Sequence, residues 1–549
     1  MSGLRSIWTR FAVPPYLEFG LIFAAVCAFA AYLQWQPGFR DPDSYYHMQM
    51  AVLLSQHKFF LAFPWLPFTI LTSNFADHHF LYHLLLTPFV QAAGPEVGMK
   101  IASVLFCGGA ATAFFFLLRT YRVRFPLFWL VVLLANAAFL FRFNLAKTPA
   151  PSLLFLFLLL AALKRGWYGE AFFLAWGEVW LHGSWPILGL VVAAQAAARG
   201  LLDRRTDIHT VHSWGQRWYW RRLLTGSRDA WRRFMRAPEG RAVATIGAGV
   251  LTGLVVNPFF PRNLAFYWHQ IVQIAIVGYR FAVTPGAEWD PLTWQQLLLD
   301  MRPFLMVVLA VCALVFVMSR QAEPAGGRLT RGDWFDIFFI ALLVLAFTWM
   351  TLSSQRHIEY LQPFAVLLAA VYASRILERL HLPSLAGTFG FWGWRLLAGT
   401  VAMVLLLGAG ESARDDVSRT RLALLDVPDW QAYAGLGVWL KDHVPPGQLI
   451  GNLDWDLFPI IFHNDPTHPM VWGLDPRFLY LSDPVRYYLW DAVAQGGDGA
   501  AAAQLLRREF GVWYVVVSSA DGLAKSQFAE IKGVTREFDD GRTVVYQLR

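Results

Sequence analysis

Cysteine is scarce in this chain. Its 549 residues include 3 cysteines, Cys27, Cys107 and Cys312, all inside apolar runs and none in a CxxC pair. That pattern argues against a disulfide framework and against a thiolate metal site. Charge is scarce too, at 15% of residues against 56% hydrophobic, with 25 Trp and 45 Phe. A soluble domain cannot bury that much apolar surface, so the composition reads as a polytopic α-helical membrane protein. No internal repeat or low-complexity tract is present, and no small-residue cleavage site follows the first apolar run, which therefore reads as a retained signal anchor. The net charge of +8 comes from Arg and Lys in short clusters between apolar runs. That is the positive-inside pattern of a membrane protein and not the continuous basic surface of a nucleic-acid binder.

Arg5 and Arg10 precede the run from Tyr16 to Trp35, which spans a bilayer at about 1.5 Å per residue. The N-terminus is therefore placed in the cytoplasm and a first outer loop, 37–97, outside. Later runs beginning near Gly98, Pro126, Ser152, Tyr168, Ile187, Ala242, Phe304, Phe335, Ala365 and Leu396 bring the expectation to about eleven spans, with nearly every basic cluster inside. The membrane domain then covers 1–412, with a basic loop, 199–241, lying on the cytoplasmic headgroups and a long outer loop, 261–302. Met48 to Leu54 and Phe80 to Val90 are too short or too polar-flanked to span, and are predicted as helices in the membrane interface. From residue 413 to 549 the apolar runs shorten and Gly, Pro and Asp return. This segment is predicted to be a soluble outer α/β domain, with strands at Gln448–Asn452 and Val512–Val517, helices at Gln431–Asp442 and Ala500–Arg508, and a hairpin at Asp539-Asp540-Gly541.

Chemistry-bearing residues concentrate on the outer side. Asp41 and Asp43 follow the first span; such carboxylates bind a divalent cation, deprotonate a hydroxyl, or simply cap the helix that begins near Ser44. That helix sets Asp43 and His47 on one face. Asp77, His78 and His79 form a second cluster, with His83 four residues on; imidazole with carboxylate suits Zn or Mn, whereas Mg prefers oxygen. Lys147, Arg356 and His357 stand at outer mouths of spans and Arg280 in the long outer loop, where cations clamp a lipid-linked phosphate or snorkel to headgroups. Glu178 lies within an apolar run about one turn from His182, and an intramembrane carboxylate is a functional candidate by default.

The Asp-Pro-Asp-Ser-Tyr-Tyr-His-Met stretch at residues 41–48, the long later outer loop with its acids Glu288 and Asp290, and the outer C-terminal domain together resemble the catalytic subunits of oligosaccharyltransferases and their GT-C glycosyltransferase relatives. Asp454-Trp455-Asp456 looks like a variant of that family's Trp-Trp-Asp acceptor-binding motif. The resemblance implies an inverting transfer from a polyprenyl phosphate or diphosphate sugar donor to a glycan, lipid or protein acceptor. It also implies a divalent metal (Mg, Mn or Zn) and, for a bacterial chain, an inner-membrane location with the site on the periplasmic side. On it, Asp43, with Asp41, supplies the essential carboxylate, Glu288 or Asp290 the later-loop acid, and Arg356 a lipid-phosphate contact.

Two departures follow. The second outer turn holds Arg142, Asn144 and Lys147 where the family has an acidic pair, and one tryptophan of the double is missing. A metal on Asp43 would then draw on Asp77, His78 and His79, with Lys147 meeting the donor phosphate. The second departure favours a GT-C transferase of another acceptor over a true N-linked oligosaccharyltransferase. A lipid-linked-sugar flippase without transfer chemistry is the opposing class, although no paired halves or broken midplane spans are seen. A structural assembly subunit is a third reading.

Overall fold

The computed structural model describes residues 14–207, 237–319, 329–379, 392–496, 499–519, 522–529, 531 and 533–549. The runs predicted as spans are helical. They form α1 (Pro15–Gln34) and, after the outer-loop helices α2 (Asp43–Ser55) and α3 (Phe80–Ala93), α4 (Pro95–Thr120), the pair α5 (Pro126–Leu133) and α6 (Ala137–Phe143), α7 (Pro149–Arg165), α8 (Tyr168–Leu181), α9 (Ile187–Asp207), α10 (Pro238–Val255), α11 (Arg302–Ser319), α12 (Arg331–Ser353), α13 (Ile358–Leu377) and α14 (Trp392–Leu425). Helices α1, α4, α5, α7 and α10 begin on a proline, whose missing N–H would be unpaired there anyway. In α10, Gly249 and Gly253 face α8: a Cβ would lie 2.6 Å from the Phe172 carbonyl oxygen at the first and 2.8 Å from Val179 Cβ at the second. Small residues four apart let the two backbones close.

Among the described residues four segments, Tyr16–Gln34, Pro95–Thr120, Arg331–Ser353 and Gln355–Leu377, are long and apolar enough to cross a membrane, or up to six if each of two bent pairs is one span. The expectation of about eleven full spans is therefore not met by length. Helices such as α7 and α8, at 17 and 14 residues, fall short of the roughly 20 that a straight crossing needs. The basic segment between α9 and α10 lies for the most part outside the described residues.

The bend of 84° between α5 and α6 has identifiable partners. Asn136 Nδ2 donates to the Val132 carbonyl at 2.9 Å, and the Ala137 N–H donates to Asp416 Oδ2 at 3.2 Å. The second bond satisfies a backbone N–H at the start of α6 that the helix itself leaves unpaired. The helix α6 then ends at Phe143 and delivers Arg142 and Lys147 to the mouth of the bundle.

The outer-loop helix α2 corrects an expectation. It does not lie in the lipid interface: Ser44 to Ala51 and Leu53 are all buried, and α2 packs against α3, α4 and the outer-domain helix α15 (Leu457–Asn464). The outer domain closes over it through Trp65. The Trp65 indole donates to the Pro466 carbonyl at 2.7 Å, its own carbonyl accepts from Met470 at 2.8 Å, and its ring meets Phe462 edge-on at 4.8 Å. The domain itself is a four-stranded sheet in the order β1 (Ile450–Asn452), β2 (Tyr514–Ser518), β4 (Thr543–Leu548), β3 (Val534–Asp539), with β1 and β2 parallel and the rest antiparallel. The hairpin expected at Asp539-Asp540-Gly541 is the β3–β4 turn. Helix α14 runs unbroken from 392 to 425, so the expected boundary at 412 falls inside a helix.

Candidate functional site

The site starts from a turn. The Asp43 N–H donates to Asp41 Oδ1 at 3.0 Å, an Asx-type turn that starts α2 and leaves both carboxylates facing Lys147. The Lys147 Nζ lies 2.8 Å from Asp41 Oδ2 and 2.7 Å from Asp43 Oδ2. A second set of ion pairs adjoins. Arg142 Nε donates to Glu359 Oε2 at 2.8 Å and its NH1 to Glu288 Oε2 at 3.1 Å, while Arg356 NH1 meets Glu288 Oε1 at 3.3 Å. Acids and bases therefore alternate from Glu359 through Arg142 and Glu288 to Arg356.

The electrostatics follow from burial and these partners. Burial alone would lower the Lys147 ammonium, but Asp41 and Asp43 override it and hold Lys147 above the usual lysine range. Burial would raise Glu288, but Arg356, Lys147 and Arg142 hold it below the usual carboxylate range. Burial lifts Asp43 to about 6, with Lys147 pulling it down and Asp41 pushing it up. The result is a compact patch of fixed charge at one mouth of the bundle, the setting in which an incoming phosphate finds cations already oriented.

Histidines make up the other half of the site. His83 Nδ1 lies 2.7 Å from Asp77 Oδ2, and His83 Nε2 lies 2.8 Å from His47 Nδ1. His79 Nδ1 lies 3.3 Å from the Leu181 carbonyl, and its ring stacks on His182 at 5.4 Å and meets His47 edge-on at 5.0 Å. His182 Nδ1 bonds Ser184 Oγ at 2.6 Å, and the Tyr360 hydroxyl donates to that same oxygen at 2.9 Å. His78 lies against His79 and Phe266. Burial lowers His47, His78 and His79 below the ordinary imidazole value, so these rings are neutral at neutral pH.

The outer domain supplies the roof. Asp454, Trp455 and Asp456 follow β1 directly, and a Cβ on Gly286 would lie 3.3 Å from the Trp455 ring, so Trp455 rests on the long outer loop. Three residues on, Trp289 is flanked by the guanidinium groups of Arg356 and Arg477, each 4.5 Å from its ring. Arg477 is buried and held by Asp475 at 2.7 Å. Burial lifts Asp456 to about 7, with Asp454, Asp43 and Asp41 adding to the rise; the acceptor-like stretch thus stands within electrostatic reach of the first outer loop.

Other predicted residues fall elsewhere. Arg280 straps backbone carbonyls of Trp289 and Ser353 at 2.6 and 2.9 Å, and His357 bonds the carbonyls of Met350 and Ser354; both brace the mouth and do not join the ion pairs. Asp290 is exposed, so of the two later-loop acids Glu288 is the one in the cluster. Glu178 is buried against Ser152 at 2.5 Å and belongs to neither half. The central parts of Arg142, Glu359, His83 and Arg477 were not evident from sequence. Local signals were carried by His83, four residues after His79, and by Arg142, in the second outer turn.

The cation site expected from Asp43, Asp77, His78 and His79 is not assembled. Among the described residues no three His, Cys, Asp or Glu side chains form a group able to hold a metal ion. Asp77 Oδ2 accepts from His83 and its Oδ1 from the His79 N–H at 3.0 Å, while Asp43 and Asp41 face an ammonium. The donor set does not fit a divalent metal: Asp43 shares the Lys147 ammonium with Asp41, whereas Asp77 is taken by His83.

No protein-family model and no curated protein sequence matches the chain. Solved structures do. The Archaeoglobus fulgidus oligosaccharyltransferase superimposes with a TM-score of 0.55 at 12% identity, over 91% of this chain and 69% of that one; it has also been solved in complex with Zn and sulfate. ArnT from Cupriavidus metallidurans, bound to undecaprenyl phosphate, superimposes with a TM-score of 0.52 at 16% identity over 97% of each chain. The mycobacterial arabinofuranosyltransferase AftD gives 0.51 at 14% identity, over 98% of this chain and 42% of that one. The chain has the GT-C fold, in a form that resembles the oligosaccharyltransferases.

Proposed function

We propose that this chain is an integral membrane glycosyltransferase that moves a sugar or oligosaccharide, with inversion, from a polyprenyl phosphate or diphosphate carrier to an acceptor on the extracytoplasmic side. In a bacterium this is the periplasmic face of the inner membrane. The observation that carries the reading is the meeting of Lys147, Arg142 and Arg356 with Asp41, Asp43, Glu288 and Glu359 at one mouth of a GT-C bundle, beneath Trp455 and Asp456. Support comes also from a neighbour solved with undecaprenyl phosphate and another tethered to an acceptor peptide.

In this reading Lys147 and Arg356 take the carrier phosphate as negative charge develops on it, and Arg142, locked to Glu359, keeps Glu288 in place. Preoriented charge at the leaving group is the largest single contribution a site of this kind makes. Asp43 and Asp41 orient the ammonium. Trp455 covers the acceptor, and with one tryptophan in place of two the acceptor is something other than an Asn-X-Ser/Thr peptide. No step runs through a metal.

The test uses the purified chain in vesicles loaded with a labelled polyprenyl-phosphate sugar and, as acceptors, surface glycans extracted from a deletion strain. Label in the acceptor supports transfer. Label that only changes leaflet, with the carrier bond intact, would establish the flippase reading instead.

A further inference from the structure

The charged half leaves one chemical requirement unmet. An acceptor hydroxyl must lose a proton as it attacks, yet both carboxylates of the first outer loop are engaged by Lys147. The imidazole half contains a chain of bonds whose polarity is dictated by its first member.

An ionised carboxylate only accepts, so His83 Nδ1, 2.7 Å from Asp77 Oδ2, carries a hydrogen. In the neutral ring His83 Nε2 is then a lone pair, and His47 Nδ1, 2.8 Å away, must donate to it. That leaves the lone pair of His47 on Nε2, which has no hydrogen-bond partner among the described residues and is not sealed off, although the residue as a whole is 2% exposed. His83 is 0% exposed and Asp77 2% on their side chains, so water does not compete for the chain. His47 stands one turn after Asp43 on the same face of α2, and burial, with the Lys147 ammonium, keeps it neutral. The remaining titratable groups against it are His79 across the ring edge and the phenols of Tyr46 and Tyr82.

We infer that His47 Nε2 is the proton acceptor for the attacking hydroxyl, with His83 and Asp77 as positioning residues that fix its tautomer. The inference rests on the transferase reading above. In the step, the acceptor oxygen bonds to the anomeric carbon as the bond from that carbon to the carrier phosphate breaks. The electron pair leaves on the phosphate oxygen, and the hydroxyl proton passes to His47 Nε2. The His47 Nδ1 hydrogen moves to His83 Nε2, so the positive charge comes to rest beside the Asp77 carboxylate, where it is compensated.

The experiment measures the pH dependence of kcat and the donor KM for the wild-type chain in vesicles, for His47→Gln and for Asp77→Asn. Wild-type transfer with an acid limb is the first requirement; no transfer at any pH overturns the underlying transferase reading. Given transfer, His47→Gln is expected to lower kcat by about 10²- to 10⁴-fold, the range for a positioned general base, with donor KM unchanged and the acid limb gone. Wild-type kcat, or a fall in kcat with the acid limb intact, overturns the inference while leaving the transferase reading standing. Asp77→Asn keeps the shape and an acceptor oxygen but removes the charge. It is expected to lower kcat and displace the acid limb, and because the limb belongs to the His47–His83 pair, an unchanged kcat and limb overturns the relay even if His47→Gln fails to fold.

Discussion

Asp43 and His47 lie one turn apart on the same buried helix, yet their surroundings solve opposite problems. Around Asp43 every charge has a counter-charge at 2.7 to 3.3 Å, so ions persist at the mouth of an apolar bundle. Around His47, the His83 ring is paired with Asp77, and burial leaves His47, His78 and His79 neutral. The difference separates two tasks that one carboxylate pair could not perform together. On the proposed reading, fixed charge holds a phosphate, and neutral rings retain a lone pair for a proton.

Breaking the charged half should cost most. Lys147→Ala leaves Asp41 and Asp43 facing each other without a cation, and removes a phosphate contact. Transfer is expected to fall by about 10³-fold, at the upper end for loss of one preoriented group, and added Mg, Mn or Zn should not restore it; steady-state rates check both points. Asp43→Ala keeps the ammonium beside Asp41 and should lose about 10²-fold with insertion and melting temperature unchanged, as purified protein and the same assay would show.

The roof sharpens the contrast more gently. Trp455→Ala is expected to raise the acceptor KM by about ten-fold, roughly 1.4 kcal/mol, while donor KM stays within error. Equal changes in both would reduce Trp455 to a packing residue. Asp456 offers the smallest effect. Its value in the fold, about 7, lies above that of the unfolded chain, so the folded state holds the proton more tightly. The stability this contributes is complete below about pH 4 and is lost as pH rises toward 7. Asp456→Asn should flatten that fall when melting temperature is followed across the range.

Much of the fold was legible because it rests on local pattern. Apolar runs became helices, the basic clusters marked their ends, and the change in composition after residue 413 announced the α/β domain. The interior position of α2 was not legible, since a helix buried on all sides carries no amphipathic stripe, and neither was the continuity of α14 through the expected boundary. In the site, Asp43, Lys147, Glu288 and Arg356 could each be singled out alone. Their pairing joins residues 106 positions apart in Lys147–Asp41 and 217 apart in Arg142–Glu359, which only the assembled bundle decides. The expected metal set, which is not brought together among the described residues, meets the same limit. Neighbours in sequence, Asp77, His78 and His79, were read as neighbours in function, whereas Asp77 turns to His83 and reaches His47 through it.

The central claim is that Lys147, and no divalent ion, supplies the positive charge between Asp41 and Asp43. The most direct measurement is the initial rate of transfer by the wild-type chain in vesicles before and after exhaustive chelation. The account predicts the same rate in both. Loss of transfer on chelation, restored by returning a divalent cation, would contradict it.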